Sequence, residues 1–282
     1  MLTESDNDYW QTLPLGRGVT ICARDDAGLV ALSKPAGTLS HPNAPRDQPR
    51  SLLNARYETV GEFYEWQPAD GAAAKTENPQ APPRRFRLWL LNRLDSATSG
   101  VILAASNEKL AIEIRALFQQ RHISKTYIAL VFGLPPEKTQ VWRDRLAIQK
   151  RAGQIRATAA PRPASDARAG AIPAEARMTV LRAWRDHPLA AGKPLALIQL
   201  EPKTGRSHQL RVQCAKRRLP IVGDATYGDF RANRDFAKRT GEKRLFLHSL
   251  ETHFDHTREG RALAFAAKSE LPPAFLLGDI KQ

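Results

Sequence analysis

The chain is poor in cysteine: Cys22 and Cys214 are the only two among 282 residues. No disulfide framework can be built on that number, and it suits a reducing cytosol. No stretch approaches the roughly 20 consecutive apolar residues of a membrane-spanning helix. The opening Met1-Leu2-Thr3-Glu4-Ser5-Asp6 is acidic. It lacks the basic, apolar, cleavable pattern of a secretory signal, so none is expected. There is no Walker loop, and Gly205 opens no dinucleotide fingerprint. His248, His253 and His256 have neither cysteines nor a clear helix to organise them, so no zinc site is expected. Ser106-Asn107-Glu108-Lys109 has the Ser-x-x-Lys spacing of penicillin-binding enzymes, but the companion motifs of that class are missing and the match is a coincidence. No internal repeat is present. The expectation is a chain that needs no membrane, metal or nucleotide cofactor.

What is there in quantity is positive charge. The net charge is +14, and hydrophobic residues make up 42%, ordinary for a globular chain able to bury a full core. The charge is uneven: residues 1–70 carry 6 Lys+Arg against 10 Asp+Glu, and the remainder 37 against 19. Phosphate neutralisation releases counterions and drives binding, so a basic body with clusters such as Arg84-Arg85-Phe86-Arg87 points to a nucleic-acid partner. Charge alone fits RNA and DNA equally well.

Residues 1–17 read as a loose leader. Val19–Ala23 and Leu29–Ser33 read as strands joined by the Asp25-Asp26-Ala27-Gly28 turn, and Lys34-Pro35 ends that hairpin. Ser51–Val60 suits a short helix. Residues 67–84, rich in Ala and Pro, read as a flexible insertion, as does the basic stretch 150–174 with Pro161, Pro163 and Pro173. Leu110, Ile114, Leu117 and Phe118 form one helical stripe, with Ser106 or Asn107 as its cap. Strands are expected at 101–105, 124–132, 178–184, 195–200, 245–250 and 261–266. Gly205 begins a turn into a short helix. Strands without regular strand–helix alternation make this an α+β chain with a mixed or antiparallel sheet.

One stretch stands out: Leu91-Asn92-Arg93-Leu94-Asp95-Ser96-Ala97-Thr98-Ser99-Gly100-Val101. Apolar runs on both sides and turn-formers within place the Asp95 carboxylate in a tight loop between two strands. A rigidly flanked short loop is a good device for fixing one reactive group. Three further blocks accompany it. They are Leu29–Gly37 with His41-Pro42, then Ser124–Val131, then Thr204-Gly205-Arg206-Ser207-His208-Gln209-Leu210-Arg211-Val212 running on to Pro220–Asp224. A weaker fifth is Leu245–Ser249.

In order and spacing these blocks resemble the RluA-like RNA pseudouridine synthases over roughly residues 18–276. The chain departs from that pattern at Asn92, where the family usually has His, and at Ala176, where it usually has Thr. The resemblance implies the pseudouridine synthase fold, a bent mixed or antiparallel sheet with flanking helices and loops around a central cleft. It implies one catalytic domain over 18–282, without the small N-terminal S4 domain.

The resemblance also implies roles. Asp95 is the catalytic carboxylate, acting either as nucleophile or as the base that removes a ribose proton. A carboxylate in a closing pocket tends to protonate, and Arg211 is the cation implied to hold it ionised. Arg206, earlier in the same motif, is the alternative partner or faces phosphates. Tyr127 lies against the target base, where stacking needs no sequence readout. Arg93 enters the space left when the base leaves its stack. Leu247 packs under the base, and Lys34 borders the site. The expected partner is ribosomal or transfer RNA, with no cofactor, and the expected enzyme is a cytoplasmic monomer. A non-catalytic RNA-binding protein of the same fold is the rival, motivated by Asn92.

Overall fold

The computed structural model describes residues 9–68, 85–151, 154–159, 171–258 and 261–277. In chain order its strands are β1 (Thr20–Arg24), β2 (Leu29–Lys34), β3 (Arg56–Glu58), β4 (Phe63–Trp66), β5 (Phe86–Leu90), β6 (Ser99–Ala105), β7 (Ser124–Phe132), β8 (Thr139–Arg151), β9 (Gln154–Ala159), β10 (Ile172–Trp184), β11 (Leu195–Pro202), β12 (Leu247–Arg258) and β13 (Arg261–Lys268). The longer helices among the described residues are α1 (Glu108–Gln120), α2 (Gln209–Lys216) and α3 (Phe230–Thr240). This is the expected α+β class. The chain divides into two compact units, residues 1–122 with 254–269, and residues 123–253 with 270–282.

In the first unit, β2 pairs antiparallel with both β1 and β6, and β3, β4, β5 and β6 pair in that order, also antiparallel. Every residue of β6 is buried. Its run of apolar and small side chains, without polar alternation, is what a strand covered on both faces requires. Helix α1 starts where expected: the Asn107 side chain accepts the Leu110 N–H, and Leu110, Ala111 and Ile114 are buried. It stops at Arg121, which takes a left-handed conformation and returns its N–H to the last turn.

Two expectations differ here. Ser51–Val60 is not helical, and its only strand is Arg56–Glu58. Leu52 donates its N–H to the Leu39 carbonyl and accepts from Gly16, while Arg56–Glu58 pairs with β4. Adjacent Leu52 and Leu53 are both fully buried, a demand met by inter-segment bonds rather than by one helical face. Residues 9–17 are not loose either. Trp10 and Leu13 are buried, and the Tyr9 ring lies 5.3 Å from Trp66 and 5.2 Å from Phe86. Residues 1–8 lie outside the described residues, as do 69–84 of the first predicted insertion.

In the second unit the order is β12, β7, β11, β10, β8, β9, antiparallel throughout. The centre of β7, Ile128–Phe132, is buried, as are Leu195, Ile198 and Leu200 of β11. The stretch 150–174 departs from its reading as a loose insertion. Residues 154–159 form β9 and pair with β8, and β10 begins at Ile172. Residues 160–170 lie outside the described residues. Helix α3 is an element the sequence reading did not place.

Candidate active site

The Asp95 loop is held by bonds reaching it from several parts of the first unit. Asn92 Oδ1 accepts the Leu103 N–H of β6 at 2.8 Å. Ser40 Oγ donates to the Leu94 carbonyl at 2.8 Å and accepts the Leu94 N–H at 3.0 Å. The Ser96 carbonyl accepts both the Gly37 N–H, at 2.8 Å, and the Lys34 ammonium, at 2.9 Å. Inside the loop, the Thr98 N–H donates to the Asp95 carbonyl at 3.0 Å. With Leu94, Thr98 and Ser99 buried and Asp95 half-buried, the acid is carried on a loop whose backbone is fixed on both sides of it.

Lys34, expected to border the site, is enclosed rather than solvated. Its side chain is 1% exposed, and its ammonium donates to the carbonyls of Pro35, Thr38 and Ser96 at 3.0, 2.7 and 2.9 Å. A charge so enclosed does not meet a polyanion; it ties the Lys34–Thr38 turn to the Asp95 loop. Asn92 is equally structural, supplying the acceptor that continues the bond between Leu91 N–H and the Leu103 carbonyl.

Arg93 is the exposed member of this group, its side chain 60% accessible. Nη1 lies 3.4 Å from His41 Nε2 and 3.9 Å from Glu62 Oε1, and the His41 ring stacks on Tyr57 at 4.7 Å. Within the basic cluster, Arg85 and Arg87 are neutralised: both bind the Glu65 carboxylate, at 3.0 and 2.8 Å, and Phe86 is buried.

In the second unit, Tyr127 sits half-buried in β7 between Ser249 of β12 and Leu200 of β11. Leu247 opens β12, opposite Ala129, and is 4% exposed. Two residues before Tyr127, burial first and then the Lys203 charge hold the Lys125 ammonium below its ordinary pKa.

Helix α2, on which Arg211 and its neighbours lie, is buried from Gln209 to Cys214. Arg211 is therefore no surface-helix arginine. Its Nε and Nη2 form a two-pronged bond with Asp224 Oδ2 and Oδ1, both at 2.8 Å. Burial pushes the Asp224 carboxyl up, but Arg211 and the Tyr227 and Thr226 N–H groups outweigh it and hold the carboxyl below the usual range. Arg206 lies outside that pair, its Nε donating to the Pro173 carbonyl at 3.2 Å.

Two groups that hold α2 were not singled out from sequence. Gln209 donates to the Glu175 carbonyl at 3.0 Å, and its Oε1 accepts from Thr204 Oγ1 at 2.7 Å. Asp144 of β8 accepts from Gln213, Lys216 and Arg217 at 2.9, 2.6 and 2.9 Å. Burial raises the Asp144 carboxyl, and those three donors overcome it. An acid on one strand facing several donors on one helix is a tertiary fact with no local sequence signature. Among the described residues no cluster of metal-ligating side chains occurs, and no helix is long and apolar enough to cross a membrane.

The first unit thus carries a carboxylate on a pinned loop, and the second carries a buried arginine held in one orientation. A family model described as RNA pseudouridylate synthase matches residues 28–216. A Yersinia pestis protein called tRNA pseudouridine synthase C is 34% identical over 88% of this chain and 85% of its own length. A Haemophilus ducreyi protein of the same name is 32% identical over 88% and 89%. Among solved structures, human RNA pseudouridylate synthase domain containing 1 superposes with a TM-score of 0.61 at 21% identity, covering 92% of this chain and 86% of that one. Human RNA pseudouridylate synthase domain containing 4 gives 0.57 at 23%, covering 91% and 90%. These two establish the fold. The chain belongs to the RNA pseudouridylate synthase family, and it is an isomerase acting on RNA.

Proposed function

We propose that this isomerase converts a uridine of transfer RNA to pseudouridine, with Asp95 as its catalytic carboxylate. The tRNA assignment is supported by relatives that span most of the chain and carry tRNA in their names. The observation that carries the catalytic assignment is the pinning of the Asp95 loop by Asn92, Ser40, Gly37 and Lys34. A loop that merely turned the chain would not need that much support; a reacting group must be held to a fraction of an ångström.

The reaction breaks the N1–C1′ bond, turns the uracil and joins C5 to C1′. The proton on C5 is lost, N1 gains one, and no electrons enter or leave, so the chemistry asks for no redox cofactor. The carboxylate at Asp95 serves the bond cleavage, either by attack on the ribose or by taking a ribose proton. Arg211 is the cation that keeps that carboxylate charged. Tyr127 offers a ring face to the uracil, with Leu247 as its apolar support. Arg93, exposed beside the acid loop, takes the place vacated by the flipped base, and Arg206 meets phosphate. The enzyme acts as a monomer, and in the cytoplasm, the latter in keeping with two free cysteines, Cys22 and Cys214.

The test is release of tritium from 5-tritiated uridine in unmodified RNA, supplied as separate tRNA and rRNA pools. Release from the tRNA pool alone supports the reading; release from rRNA alone would move the substrate. Mapping pseudouridine in tRNA from cells with and without the gene then identifies the position.

A further inference from the structure

We propose that Asp224 is a positioning residue for the reaction, which it serves by orienting the Arg211 guanidinium. The inference rests on the role given above to Arg211. Asp224 reaches that guanidinium along its Nε–Nη2 edge, both bonds at 2.8 Å, with side-chain exposures of 8% for Arg211 and 1% for Asp224. The Nη1 corner is not part of this fork. The carboxylate is itself fixed. Its Oδ1 also accepts the Thr226 and Tyr227 N–H groups at 2.8 and 2.9 Å. Asn233 of α3 holds the backbone on either side, donating to the Asp224 carbonyl at 3.1 Å and accepting the Gly223 N–H at 2.7 Å.

A second element controls the guanidinium plane. The Tyr227 ring lies under it, with the guanidinium carbon 5.2 Å from the ring centroid. The Tyr227 hydroxyl is 2.9 Å from His208 Nδ1. His208 precedes α2 in a left-handed conformation at φ 54, uncommon for a residue with a side chain. The carboxylate thus fixes the guanidinium in its plane and the ring fixes the plane itself. A buried ion pair adds little net stability but imposes geometry, and such restraint removes in advance the rotamer freedom that a long arginine side chain would otherwise lose. An arginine that must act in one orientation benefits from both restraints.

The test compares D224N, D224E, R211K and D224N/R211K with the wild type in steady-state tritium release, alongside melting temperature. D224N keeps an oxygen for the Thr226 and Tyr227 N–H groups but loses one arm of the fork. Its kcat is expected to fall on the order of 10- to 100-fold, with KM for RNA within about threefold. D224E keeps the charge but displaces the fork, so kcat stays low; a merely charge-neutralising Asp224 would be rescued by it. The double variant should be no slower than R211K alone, because the two act as one unit. Wild-type kcat in D224N, rescue by D224E or additive losses would overturn the inference while leaving Arg211 in its role. Wild-type kcat in R211K would overturn that role and this inference with it. Should the Asp224 variants fail to fold, exchange at the Arg211 Nε–H of the wild type decides: slow exchange supports the fork, and exchange as fast as in exposed arginines overturns it.

Discussion

Lys34 donates from its ammonium to the Ser96 carbonyl at 2.9 Å, so a residue of the β2 end directly holds the residue after Asp95. Pro35 and Thr38 carbonyls complete its shell. Replacement by Met would fill similar space and leave three carbonyls short of a charged donor. K34M is expected to cost about 2–4 kcal/mol of stability. It should lower the rate of tritium release more than RNA affinity, because the acid loop loosens while the RNA-facing surface remains. Thermal melts and filter binding on the same preparations check this. Weaker RNA binding with an unchanged rate would make Lys34 a direct RNA contact.

Asn92 stands where the family usually has His, and it accepts the Leu103 N–H at 2.8 Å. The departure is thus accounted for by a structural bond and gives no support to a chain that has lost its chemistry. N92A should lose about 1 kcal/mol by melting, the worth of one such bond. N92H should retain tritium release. An inactive wild type revived by N92H would mean that Asn92 does mark altered activity.

Arg93 is 60% exposed, beside His41 and Glu62. If it occupies the space of a flipped base, its loss matters most where flipping is opposed by stacking. R93A should therefore slow the reaction on folded RNA by roughly one to two orders of magnitude more than on a short single strand containing the same uridine. Equal losses on both would make Arg93 a phosphate contact only.

The carboxyls of Asp144 and Asp224 both lie below their ordinary value of 3.8 in the folded chain. Their contribution to stability is present above the unfolded pKa and is lost as pH falls through the folded values. The melting temperature should be steady between about pH 7 and 5 and fall below about pH 4. D144N should lower it at pH 7 and blunt the acid decline. An acid profile identical in D144N would show that the bonds from Gln213, Lys216 and Arg217 contribute nothing to that transition.

Much of this was legible in the sequence because it is local. Apolar runs around Arg93–Gly100 announced two strands and a turn, and the Leu110–Phe118 stripe announced α1. Helix α3 escaped because its buried face is only Ala232 and Phe236; Asp229 as its cap and Gly241 as its stop were the available signals. The partners of single polar residues were hidden for a different reason. Lys34, Asp144 and Asp224 act through partners brought together by folding, and nothing in Ser33-Lys34-Pro35 says that the cation will point inward. The Tyr9–Trp66–Phe86 contact likewise ties residues 9–17, read from sequence as loose, to the core.

The most direct measurement is tritium release from 5-tritiated tRNA by the wild type and by D95N, with tRNA affinity measured in parallel. Asn keeps the shape of the side chain and removes the charge. The account predicts release by the wild type, none above background by D95N, and affinity within about threefold. Release by D95N at a rate near that of the wild type would contradict it.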